Sequence, residues 1–187
     1  MNAAAKNGVL DGECISLRPL RVEDVGPHYV RWMNDPEINR FLESRFRSWS
    51  HDDLVVFVRD HAGRRDAFIF AILEKASGRH VGNIKVGPVA SAHGTASVGL
   101  LIGERSCWGK GYGTDAIRLA CDYSFCTLRL RRLTAGAYAT NTGALAAFRK
   151  AGFAVEGRQR QHRKDGDVYV DGILLGLMRT DWLEIRR

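Results

Sequence analysis

Two apolar periodicities divide this chain. Short alternating or continuous apolar runs mark strands, and apolar positions three and four apart mark helices. ECISLR gives a strand over about 13–18, and a helix follows over about 22–33. Asp35-Pro36 restarts a helix over 36–43, because proline suits a first helical turn. Ser50-His51-Asp52-Asp53 reads as a capped helix start with Asp53 in the reciprocal position, and Leu54, Phe57, Val58 and His61 continue that face. DAFIFAIL (66–73), HVGNIKVGPV (80–89) and the run 95–102 predict three more strands. DAIRLACDYSFCTL (115–128) returns to helical spacing through Ile117, Ala120, Cys121, Phe125 and Leu128. LTAGAYA (133–139) predicts a strand, a helix starts near Asn141, and Gly152 ends it. The remainder reads as a hairpin turning at Asp165-Gly166, with its last strand ending in Trp182. Hairpins outnumber parallel crossovers. The expectation is therefore an α/β (α+β) domain whose central sheet is mixed but mostly antiparallel, with six to seven strands flanked by helices. No repeat or linker interrupts residues 13–187, which read as one domain, and residues 1–12 read as a disordered or frayed tail.

Chemistry concentrates at residues 98–114, VGLLIGERSCWGKGYGT. A strand, a glycine-rich loop and a helix start in that order form an anion site: the first helical N–H groups have no partner, the helix dipole is positive there, and glycine admits a ligand to the backbone. The spacing is wrong for a nucleotide P-loop, since Gly111 stands where Ser or Thr should follow Lys110. It is also wrong for a dinucleotide fingerprint, since the glycines fall at 109, 111 and 113 and no acidic residue ends the next strand.

The pattern Gly109-Lys110-Gly111-Tyr112-Gly113-Thr114 after a strand resembles the pyrophosphate loop of the GNAT superfamily of acetyl-CoA-dependent N-acyltransferases. Residues 133–153, with a strand, Asn141, a helix and Lys150-Ala151-Gly152-Phe153, carry a second motif of the same superfamily. WMNDPEINRFLESR and VGNIKVGPV resemble the branch holding ribosomal-protein and nucleotide-amino-sugar N-acetyltransferases. The resemblance spans about residues 13–183.

That resemblance implies acetyl transfer from acetyl-CoA, a co-substrate, to a primary amine, with no metal. It implies a splay between the fourth and fifth strands, 95–102 and 133–139, that admits the pantetheine arm. Leu101 and Ile102 would offer backbone groups to the arm and the thioester; Trp108, Gly109, Lys110, Gly111, Tyr112, Gly113 and Thr114 would hold pyrophosphate. Asn141, Phe148 and Lys150 would flank the cofactor, Asn141 serving equally as a helix cap. The sequence departs from the family where many members keep a tyrosine acid, since Phe148 stands there, and where some keep a serine, since Ala144 does. Tyr138 is then the candidate proton donor, or simply an aromatic in a strand. Glu43 is the first candidate for general base, ahead of His93 and Asp171, with a surface pair to Arg45 or Arg47 as its other reading. Asn39, Arg40, Arg45 and Asn83 are candidate acceptor contacts, and the arginines suit an anionic small molecule such as a nucleotide-linked amino sugar. Acetylation of a protein N-terminus and a non-catalytic coenzyme A module remain alternatives.

Composition narrows the field further. The net charge is +7, and residues 129–164 hold nine Lys or Arg against Glu156 alone. A basic surface gathers anions, and coenzyme A supplies them. Nucleic-acid motifs are missing and aromatics do not interleave with the charges, which argues against such a partner. No apolar run reaches about 20 residues, so no membrane span is expected. The four cysteines lack metal or disulfide spacing and read as reduced thiols in a cytoplasmic protein. A homodimer through the last strand or the final hairpin is left open.

Overall fold

The computed structural model describes residues 8–186. Eight strands form one sheet: β1 (Leu10–Asp11), β2 (Ile15–Pro19), β3 (Phe68–Glu74), β4 (His80–Ala90), β5 (Thr95–Ile102), β6 (Arg132–Tyr138), β7 (Ala154–Asp165) and β8 (Val168–Met178). Their spatial order is β1-β2-β3-β4-β5-β6-β8-β7. Every neighbouring pair is antiparallel except β5 with β6. The mixed, mostly antiparallel α+β expectation holds, with one strand more than the six to seven anticipated.

The extra strand is β1. Residues 1–7 of the expected tail lie outside the described residues, but Leu10 pairs with Leu17 and is buried. Burying an apolar side chain against the sheet offsets the cost of ordering this short segment.

Five helices cover the two faces: α1 (Pro27–Asn34), α2 (His51–Ala62), α3 (Tyr112–Asp122), α4 (Thr142–Lys150) and α5 (Arg179–Ile185). Ile84, Val86, Val98 and Leu133 pack with Ile117, Ala120, Phe148 and Trp182 in the larger core, on the α3–α4–α5 face. Tyr29, Trp32, Met33, Leu54, Val58 and Ala71 form the smaller core under α1 and α2. Ser50 caps α2 reciprocally with Asp53, as its sequence predicts.

Three boundaries differ from expectation. The helix foreseen over 22–33 is broken by Gly26-Pro27 into a 3-10 turn, Val22–Asp24, and α1, because proline can start a helix but not continue one. The helix foreseen over 36–43 is replaced by turns, and only Glu43–Phe46 forms a short 3-10 helix. Asp35 ties the backbone N–H groups of Glu37 and Ile38 into a local turn, which competes with helix formation. The last strand stops at Met178, and Trp182 belongs to α5. There Asp122, buried at the end of α3, accepts from Trp182 Nε1 at 3.1 Å and Arg186 Nη2 at 2.5 Å.

Candidate active site

The parallel pair sets up the site. β5 and β6 share only the partners Thr95–Arg132, Ala96–Leu133 and Ser97–Thr134. Beyond them β5 runs on to Ile102 and β6 to Tyr138 without pairing to each other. The splay lies at the carboxyl end of both strands, and the edge of Val98–Ile102 that faces away from β4 can receive an extended ligand as an added strand.

At the mouth of that opening stands the glycine loop. Gly109 and Gly111 adopt φ of 75° and 85°, the left-handed region that glycine enters without strain. A Cβ at either position would meet nothing within 4 Å, so both line open space. Gly111 is the N-cap of α3 and brings no side chain to its first N–H groups. The backbone donors of Tyr112, Gly113 and Thr114 therefore face outward with the positive end of the helix dipole, the geometry that suits a pyrophosphate.

Side chains brace this loop from behind. Trp108 Nε1 donates to Ile102 O at 2.8 Å and ties the loop to the end of β5. Tyr112 Oη donates to Glu74 Oε1 at 2.7 Å, and that carboxylate pushes the phenol up to about 12. Asp115, in the first turn of α3, accepts from the backbone N–H of Cys14 at 2.8 Å and Ile15 at 3.1 Å. A Cβ at Gly12 would sit 2.5 Å from that carboxylate, so the strand entry needs glycine. Neither Asp115 nor Glu74 stood out in the sequence, because both act across the fold.

Of the other cofactor candidates, Asn141 caps α4, its Oδ1 accepting from Ala144 N at 3.1 Å. Phe148 is a correction. It is 2% exposed in the main core and stacks edge-on against Phe153 at 5.0 Å, so it presents almost no surface to a cofactor. Lys150 lies at the far end of α4, and its carbonyl accepts from Arg118 a turn and more into α3. It stands beside the helix, away from the glycine loop.

The opposite face carries the acceptor candidates. Tyr138 Oη donates to Glu43 Oε1 at 3.0 Å, and Arg163 Nη1 reaches the same oxygen at 2.6 Å. Burial raises the Tyr138 phenol; Arg45 opposes that shift and the Glu43 carboxylate adds to it. The hydroxyl thus keeps its proton at neutral pH. Arg163 is not singled out by the sequence, where the basic excess of residues 129–164 is the only signal for it.

The remaining acceptor assignments need correcting. Arg40 grips Asp165 with two hydrogen bonds of 2.9 and 3.0 Å, and Thr140 donates to the same carboxylate. Arg45 donates to the carbonyls of Arg40 and Lys164, so both guanidinium forks are engaged inside the protein. Asn39 is buried and donates to Met33 O at 2.8 Å, a structural bond. Asn83 is buried beside His80. His80 Nε2 faces Gly82 O, which can only accept, so that nitrogen carries the proton and Nδ1 accepts from His28 Nε2 at 3.1 Å. Burial lowers both imidazoles.

Of the other two base candidates, one lies away from the splay and the other is already engaged. His93 precedes β5, at the closed end of the β5–β6 pair. Asp171 accepts from Gln161 N at 2.8 Å and from Arg158, and the first of these bonds does most to hold it below the usual carboxylate range. Glu43, by contrast, is joined to the hydroxyl of Tyr138 at the end of β6.

No described helix is long and apolar enough to cross a membrane, and no described cluster of His, Cys, Asp or Glu has a metal-binding arrangement. The Acetyltransferase (GNAT) domain family matches residues 15–154. An uncharacterised N-acetyltransferase p20 of Bacillus licheniformis is 26% identical over 91% of this chain and 96% of its own. The spermidine N(1)-acetyltransferase of Escherichia coli K12 is 29% identical over 76% of this chain and 74% of its own. The spermidine N-acetyltransferase of Vibrio cholerae, solved in complex with CoA and spermine, superposes with a TM-score of 0.81 at 21% identity, covering 90% of this chain and 98% of that one. With a splayed parallel pair, an uncapped helix start and a family match across most of its length, this chain belongs to the GNAT acetyltransferase family, the N-acetyltransferases that draw on acetyl-CoA.

Proposed function

We propose that this enzyme acetylates the primary amine of a small molecule, with Glu43 and Tyr138 at the acceptor end of the splay. The observation that carries the reading is the Glu43–Tyr138 hydrogen bond of 3.0 Å beside the open ends of β5 and β6. An ammonium has no lone pair, so the acceptor must lose a proton before attack. Glu43 can take it, directly or through one water. Backbone N–H groups near Leu101 and Ile102 are suited to the charge that develops on the thioester oxygen. Tyr138, still protonated, can supply a proton to the departing thiolate if it leaves Glu43.

Relatives named for spermidine make polyamines the first acceptors to test. A second reading has its own support. Along this wall Glu43, Asp165 and Asp171 each face an arginine, namely Arg163, Arg40 and Arg158, and Arg45 adds a further cation. The three facing pairs cancel in charge, and Arg45, held by carbonyls rather than by a carboxylate, leaves the wall one net positive charge, which suits an amine that carries its own anionic group, such as an amino sugar on a nucleotide carrier. Steady-state acetylation of spermidine and of a nucleotide-linked amino sugar, side by side, separates the two. Preference for spermidine supports the polyamine reading, preference for the sugar supports the anionic one, and turnover of an N-terminal peptide alone overturns both.

A further inference from the structure

β7 does not pair evenly with β8. Gln159 lies opposite Gly172 and Arg163 opposite Val170, so residues 160–162 bulge against the single residue Asp171. Gln161, in this bulge, has φ of 48°, a conformation that costs a non-glycine residue energy and needs holding. Asp171 holds it: one carboxylate oxygen accepts Gln161 N at 2.8 Å and the other accepts Arg158 Nε. The consequence falls on the strand beyond. An even ladder would carry Arg163 two residues further toward the hairpin tip, about 6–7 Å away. With the bulge in place, Arg163 reaches Glu43 at 2.6 Å and lies 5.7 Å from the Tyr138 ring centre. The main chain of Asp171 serves the same end, because its carbonyl accepts Ala139 N at 2.8 Å and so fixes the backbone next to Tyr138.

We propose that Asp171 is a positioning residue for the acceptor site: by holding the β7 bulge it aims Arg163 at Glu43, which Tyr138 engages from the other side. The proposal rests on the reading of Glu43 and Tyr138 as the acceptor end. It assigns Asp171 no proton transfer and accounts for its engagement by two donors.

Arg163 Nε supplies a readout that needs no acceptor. It is buried and has no hydrogen-bond partner among the described residues. In the intact protein labelled with nitrogen-15, its N–H should exchange slowly with water, and Arg163→Lys identifies the signal by removing it. Asp171→Ala should speed that exchange at least tenfold, while Glu43→Gln leaves the Gln161 amide signal in place. Adding Gln161→Gly to Asp171→Ala should recover part of the protection, since glycine holds the left-handed turn unaided. An unchanged Arg163 signal in a folded Asp171→Ala protein overturns the proposal.

Kinetics test the same link through function. Asp171→Ala should raise the KM for the better acceptor of the spermidine and nucleotide-sugar pair about tenfold and leave acetyl-CoA affinity unchanged. In an Arg163→Ala background the Asp171 change should add nothing, because both act on one contact. Additive effects, or a loss of acetyl-CoA affinity, overturn the proposal. Failure of the underlying reading shows differently, as undiminished turnover in Glu43→Gln.

Discussion

The two sides of the splay are built from different materials. The donor side is main chain: Gly109 and Gly111 at positive φ, the uncapped start of α3 and the unpaired edge of β5. The proposed acceptor side is side chain: Glu43 between Tyr138 and Arg163, Arg40 on Asp165, and Asp171 under the bulge. A main-chain site asks of its sequence only glycine where room is needed, and a single acyl donor can be served by many sequences. A side-chain network can be rewritten residue by residue, so it can be fitted to a different amine without disturbing the main-chain side.

This contrast can be broken most forcefully at Gly111. Gly111→Asp places a carboxylate where the pyrophosphate should sit; no atom lies within 4 Å of the new Cβ, but the φ of 85° strains any side chain, so Gly111→Asn serves as the uncharged control for that strain. Acetyl-CoA affinity should fall by about 100-fold or more, read by calorimetry, as an anion displaces the favoured charge at a helix start. On the acceptor side, Glu43→Gln should cut kcat by about 100-fold, the lower range for losing a general base, with acetyl-CoA binding untouched. Reversal of that pattern, with cofactor binding lost instead, would join the two sides into one.

Smaller changes sharpen the division. Asp115→Ala leaves the buried N–H of Ile15 and that of Cys14 without their acceptor, and denaturant titration should show a loss of about 2 kcal/mol. Trp108→Phe removes the indole donor to Ile102 and should raise the KM for acetyl-CoA about threefold, the cost of one exposed hydrogen bond. The smallest effect belongs to the His28–His80 pair. Burial lowers both imidazoles below 6.5, so the unfolded chain binds protons before the folded one does. Stability is then full above about pH 6.5 and declines as pH falls from there through the folded-state values. Thermal melts should lose a few °C between about pH 7 and 5. A His28→Asn, His80→Gln protein should lose less.

What could be read from the chain follows the same division. The glycines of 109–113, the Ser50–Asp53 cap and Asn141 act on backbone a few residues away, so their spacing alone discloses them. The pairs that shape the acceptor wall span 95 residues for Tyr138–Glu43, 120 for Arg163–Glu43 and 125 for Arg40–Asp165. No local pattern records such a contact, so Arg40 looked available to a substrate while it was already engaged. Phe148 was misjudged for a related reason: a family alignment position tells where a residue sits on α4, whereas burial depends on what β-strand packs beneath it. The break at Gly26-Pro27 was written locally and outweighed by the apolar rhythm around it.

The Arg40–Asp165 clasp also has a history within each molecule. At ribosomal rates of about 5–20 residues per second, the 125 residues between its halves take roughly 6–25 s to be made. Throughout that interval Arg40 has been synthesised and Asp165 has not. A newborn chain therefore closes this clasp only among its last events, after the glycine loop at 109–113 has already been made.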